Sequence, residues 1–95
     1  MKEPGATAAP PPPNLLIGVH FYSYFKDLTG CAQTTETVPA GGTISDLLKQ
    51  LYTRFPKLAP MRNSTLVAVG VEYQGRGYVL QAGEEVSLFP PVQGG

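Results

Sequence analysis

The chain closes on Phe89-Pro90-Pro91-Val92-Gln93-Gly94-Gly95, and the chemistry on offer there is that of a carboxylate. ATP converts a carboxylate into an acyl-adenylate, which a sulfur nucleophile can then attack. A site that performs this step must admit the chain end through a narrow channel. Gly94 and Gly95 suit such a channel, because a backbone without Cβ approaches closely and takes unusual φ/ψ values. Pro90 and Pro91 have no N–H to extend a sheet ladder, and they stiffen the base of the tail. A preorganised tail loses less entropy on entering a partner. At a glycine usage of about 7%, chance gives two terminal glycines in roughly 0.5% of chains, so the weight falls on the segment before them.

Little else along the chain promises chemistry. An active site needs a nucleophile with its base, a metal cluster or a cofactor loop. Cys31 is the only thiol and His20 the only imidazole. His20 belongs to a predicted strand and Cys31 follows a turn-closing glycine, so no catalytic pair is expected. Metal binding lacks ligands for the same reason. Gly75-Arg76-Gly77 lacks the strand-loop-helix context of a phosphate loop and reads as a turn. Glu84 and Glu85 are adjacent and point to opposite faces of a strand, which makes them solvated turn residues rather than a carboxylate pair.

Composition narrows the partners. Net charge is zero and the charges are scattered, which argues against nucleic acid. No apolar run reaches the length of a membrane span, and no apolar segment follows Lys2 to make a secretory signal. A single cysteine forms no disulfide within the chain, in keeping with a reducing cytoplasm. Residues 1–13, with Pro10-Pro11-Pro12-Pro13, read as a disordered Pro/Ala-rich leader. The expected organisation is that leader, one small domain over 14–89, and an extended tail over 90–95.

The elements that must position the tail follow from periodicity. Leu16 to Phe25 reads as a strand, with Ile17, Val19, Phe21, Ser23 and Phe25 on the core face and His20, Tyr22 and Tyr24 on the other. Lys26 to Gly30 looks like one helical turn closed by glycine. Gln33 to Val38 reads as a polar edge strand. Thr43 is a helix N-cap with Asp46 three residues on. Ile44, Leu47, Leu48, Leu51, Tyr52 and Phe55 then share one helical face until Pro56 ends it. Leu66 to Val71, Tyr78 to Leu80 and Val86 to Phe89 are predicted strands, with Glu72-Tyr73 following the first. The order β-β-α-β-β, with one main helix on one face of a mixed sheet, predicts an α+β roll of the ubiquitin type. Its first and last strands are then parallel central neighbours. If Val86 and Leu88 face the helix, Phe89 faces away, beside Tyr22 and Tyr24, and these three aromatics form a candidate docking patch at the root of the tail.

The segment Gly83 to Gly95 closely resembles the terminus of the small, sulfur-carrier subunits of molybdopterin synthase. That pattern is G-(D/E)-E-V, two apolar residues, P-P, V, a small or polar residue, then G-G. Val19 to Gly30 is similar to the same family's first strand and its (R/K)-(E/D)-L-x-G turn. The resemblance covers roughly Ile17 to Gly95, and departs at Gly70, where the family often has Asn. It implies a β-grasp carrier, without an active site or bound cofactor of its own, that works in a heterotetramer. A ubiquitin-activating-type enzyme would spend ATP to adenylate Gly95, and a sulfurtransferase would supply the sulfur of a thiocarboxylate. Gly94, Gln93, Val92, Pro91 and Pro90 would enter the large synthase subunit, where the sulfur passes to cyclic pyranopterin monophosphate. Phe89 and Tyr22 would fall in the docking surface. Two alternatives stay open: a sister carrier supplying sulfur to thiazole or another product, and a ubiquitin-like interaction module without sulfur chemistry.

Overall fold

The computed structural model describes residues 14–91. The expected leader over 1–13, and the tail residues Val92, Gln93, Gly94 and Gly95, lie outside the described residues. Strand β1 (Asn14–Phe21) buries Ile17, Val19 and Phe21 almost completely. It pairs antiparallel with β2 (Gln33–Pro39), from Asn14 opposite Pro39 to His20 opposite Gln33. On its other side it pairs in parallel with β5 (Glu85–Phe89), from Gly18 beside Glu85 to Phe21 beside Leu88. Strand β3 (Leu66–Val69) continues the sheet antiparallel to β5, and β4 (Glu72–Tyr73) closes it, giving the order β2-β1-β5-β3-β4. The first and last strands are thus parallel central neighbours, as the element order predicts.

Helix α2 (Ile44–Arg54) covers one face of this sheet. Its start is fixed by a capping box: the Asp46 N–H donates to the Thr43 hydroxyl, and the Thr43 N–H donates to the Asp46 carboxylate. Two otherwise unpaired backbone or cap groups are satisfied at once. Ile44, Leu47, Leu48 and Leu51 are buried against Val19, Phe21, Val86 and Leu88, each such side chain contributing about 1.5–3 kcal/mol by leaving water. The helix ends because the residue before a proline is pushed out of the α region. Phe55 takes φ −124° and ψ 81°, and a 3-10 segment (Pro56–Met61) comes next.

Three expectations need correction. The first strand stops at Phe21 instead of running to Phe25. Ser23 adopts φ 56°, and the N–H groups of Phe25 and Lys26 turn back to the carbonyls of Tyr22 and Ser23. Phe25 is fully buried nonetheless, as the first residue of the short helix α1 (Phe25–Thr29). Gly30 closes that helix at φ 78°, the left-handed cap in which glycine carries no Cβ penalty.

The strand predicted to reach Val71 stops at Val69. Gly70 turns at φ 62°, and Val71 is left 98% exposed at the tip. This is a conformation that Gly adopts freely and Asn tolerates, so the departure at Gly70 leaves the turn intact. Tyr78 to Leu80 is not a strand either, beyond a single bridge from Val79 to Thr43. Its backbone instead serves the start of α2. The N–H groups of Ile44 and Ser45 donate to the carbonyls of Tyr78 and Arg76, and the Leu80 N–H donates to the Gly42 carbonyl. The unpaired first-turn donors of a helix are a strong demand on nearby carbonyls, and here they outcompete a ladder.

Candidate functional site

The site is assembled at the end of β5, on the sheet face opposite α2. Period two along β5 buries Val86 and Leu88 and turns Ser87 and Phe89 outward. Although β1 has ended, the Tyr22 N–H still donates to the Leu88 carbonyl at 3.1 Å, which carries the parallel register one residue further. Tyr22 is thereby set beside Phe89, and the rings stack with centroids 4.7 Å apart and planes 10° from parallel. Such offset stacking is worth about 0.5–1.5 kcal/mol beyond the area buried. Tyr22 remains 43% exposed, so the pair presents an aromatic surface to solvent.

Two further residues, which strand parity did not point to, join this cluster. Tyr73 meets Phe89 edge-on at 6.2 Å, and Leu66 lies directly across the antiparallel register from Phe89. Both are exposed. The turn at Gly70 places Tyr73 opposite Ala68, on the outer face, a position that strand parity without the turn does not give. Tyr24 is placed differently. It stands before α1 and packs edge-on against Phe25 at 5.6 Å, apart from the stacked pair. Pro90 and Pro91 come directly after Phe89, half-buried and outside the ladder, to which neither could donate an N–H.

The polar side chains singled out in the sequence have partners of their own. His20 Nε2 meets the Glu85 carboxylate across β1 and β5. Gly18 makes room for that carboxylate, since a Cβ at this position would overlap it. Glu84 and Glu85 do lie apart, but each has a partner. The Glu84 carboxylate accepts from the Tyr78 hydroxyl at 2.7 Å and from the Gln81 N–H at 2.8 Å. That bond to Glu84, helped by burial and by the Glu84 charge, holds the Tyr78 phenol above its ordinary value of 10.0.

Cys31 is half-buried with its thiol against the Thr29 hydroxyl; His20 and Cys31 share no bond. Among the described residues no group of three His, Cys, Asp or Glu side chains could hold a metal ion. Nor is any described helix long and apolar enough to cross a membrane. What the described residues present is an exposed aromatic face, Tyr22, Tyr73 and Phe89, with the Pro90-Pro91 joint at its edge.

Comparison with known proteins agrees with this architecture. The family model described as the ThiS family matches residues 19–95. The chain is similar to the human molybdopterin synthase sulfur carrier subunit, 35% identical over 82 residues that cover 83% of this chain and 93% of the human one. Among solved structures it shares its fold with a putative molybdopterin converting factor, subunit 1, from Pyrococcus furiosus. There the TM-score is 0.76 at 23% identity, covering 82% of this chain and 99% of that one. It also matches the Helicobacter pylori complex of subunits 1 and 2 of the molybdopterin-converting factor, with TM-score 0.58 and 20% identity over 85% and 100% of the two chains. The sheet order, the single main helix and a family match over residues 19–95 converge: the chain belongs to the ThiS family of ubiquitin-like β-grasp proteins.

Proposed function

We propose that this chain is the sulfur carrier of a molybdopterin synthase. The observation that carries the reading is the Tyr22–Phe89 stack, outward on the sheet and immediately before Pro90-Pro91. An exposed aromatic anchor at the root of a glycine-terminated tail is what a protein needs to dock and insert its end. The name and 35% identity of the human relative support the same role.

In this reading an adenylating enzyme joins the Gly95 carboxylate to the AMP part of ATP and releases pyrophosphate. The terminal sulfur of a sulfurtransferase persulfide attacks the acyl carbon and displaces AMP, giving an acyl disulfide. A thiol of the partner then cleaves the S–S bond, leaving a thiocarboxylate and a partner disulfide. The loaded tail, Pro90 through Gly95, enters the large synthase subunit. There the thiocarboxylate sulfur bonds to cyclic pyranopterin monophosphate, and water cleaves the acyl–sulfur link, so that sulfur stays on the pterin and the tail returns as a carboxylate. The acids and bases for these steps belong to the partners.

Intact-mass analysis of protein taken from cells able to load it tests the chemistry: one terminal oxygen is replaced by sulfur. Deleting Gly95 abolishes loading and leaves the fold unchanged; sulfur transfer by the truncated protein would refute the tail mechanism. Converting the pyranopterin precursor with an authentic large subunit separates this role from a sister carrier for thiazole. Failure with several large subunits would leave a sulfur carrier of another pathway.

A further inference from the structure

On the other side of the sheet from the aromatic cluster, in the helical layer, an open cleft of about 200 Å³ lies between α2, the turn after the 3-10 segment and the loop before Tyr78. Its walls include Leu48 and Tyr52 from α2, and around them stand Lys49, Arg62, Asn63 and Arg76. Three of the seven Lys and Arg residues of a chain with zero net charge thus share one concavity. Among the described residues, no carboxylate lies within ion-pair distance of any of them; the ion pairs there are Arg54–Glu36 and His20–Glu85. Asp46, one turn before Lys49, is the nearest acid along the helix, and its carboxylate is held by the Thr43 cap.

The two guanidinium groups are also held in place. Arg76 donates to the carbonyls of Arg62 and Thr65 at 2.8 and 3.0 Å, and Arg62 donates to the Ala59 carbonyl at 3.2 Å. Like charges brought together repel, and apolar walls focus the resulting potential. An oxyanion bearing two or more charges relieves that repulsion, and fixed guanidinium forks match phosphate oxygens in geometry. A single carboxylate would offset only one charge in three. We infer that this cleft binds an oligophosphate, either free or as the phosphate end of a nucleotide. The inference stands independently of the carrier reading, because it uses none of the sheet-face or tail residues.

The test is an NMR titration of the full chain with inorganic phosphate, pyrophosphate, ATP and AMP at constant ionic strength, with hexaglutamate as a peptide control. Saturable shifts at the amides of Lys49, Arg62, Asn63 and Arg76 are expected, stronger with pyrophosphate than with phosphate. ATP binding at least as tightly as pyrophosphate, with AMP weak, assigns a nucleotide; pyrophosphate binding tighter than ATP assigns a free oligophosphate. Lys49→Gln and Arg62→Gln, both at exposed positions, should each weaken binding about tenfold, with the remaining resonances unmoved. Non-saturating shifts, shifts spread equally over Lys26, Arg54 and Lys57, indifference to both substitutions, or tighter binding of hexaglutamate would each overturn the inference.

Discussion

At the scale of single residues, the stack of Tyr22 on Phe89 is the feature with most consequence. Both rings sit on a surface without being needed to fill the core, so truncation should cost binding more than folding. Tyr22→Ala and Phe89→Ala are each expected to weaken association with a large synthase subunit by about 2 kcal/mol or more, on the order of 30-fold in Kd. Tyr73→Ala, touching only the edge of Phe89, should weaken it less. Calorimetric titration beside a thermal melt separates the two effects. Losses near zero at both Tyr22 and Phe89 would remove this face from the interface. Tyr22 and Phe89 were readable from strand parity alone. Tyr73 was not, because its place depends on where the strand before it stops and how tightly Gly70 turns.

At the scale of elements, α2 is where local sequence speaks most directly. The capping pattern from Thr43 to Asp46 and the apolar face through Leu51 are both present in the folded chain. The cap makes a pH-dependent contribution. The Thr43 N–H, and then its hydroxyl, bond the Asp46 carboxylate and hold it below the ordinary value of 3.8, with Lys49 adding a little. A carboxyl with a depressed folded-state pKa binds its proton more readily when unfolded. Its stabilisation is therefore complete above the ordinary value and is lost as pH falls through the folded-state value. Acid unfolding monitored by circular dichroism should show the wild type losing more stability than Asp46→Asn across that window. Parallel curves would exclude a role for the cap. Thr43→Ala should cost about 1 kcal/mol at neutral pH. The segment Tyr78 to Leu80 shows the opposite case. Its aromatic and β-branched residues favour a strand, yet its carbonyls are taken by the N–H groups of α2. Propensity is a weak prior wherever unpaired helix donors lie within reach.

At the scale of the whole molecule, the parallel pairing of β1 with β5 organises everything else. These two strands carry ladders on both sides, whereas β4 is two exposed residues at one edge and β2 forms the other. Amide exchange in deuterated water should follow this order. Bonded amides in the centre of β1 and β5 exchange only with global unfolding, and those of β4 at least about tenfold faster. Equal rates in β4 and β5 would contradict a sheet held from its centre. The same pairing explains why the aromatic face is continuous. Tyr22 leaves the first strand just where Phe89 ends the last, although the two are far apart in sequence.

Elements whose signals are local were legible along the chain: the inward faces of β1 and β5, the cap and apolar stripe of α2, the glycine stop after α1, and the end of the last ladder before Pro90-Pro91. Each follows from periodicity, capping chemistry or a missing N–H, which depend on neighbours along the chain. Features that depend on partners across the chain emerged only on folding. Folding ended β1 at Phe21, gave the Tyr78 backbone to α2, added Tyr73 and Leu66 to the aromatic face and kept Tyr24 off the stack. It also drew Lys49, Arg62 and Arg76 into one cleft. Hydrogen-bond demand and register settle those matters, and both are properties of the folded sheet and helix together.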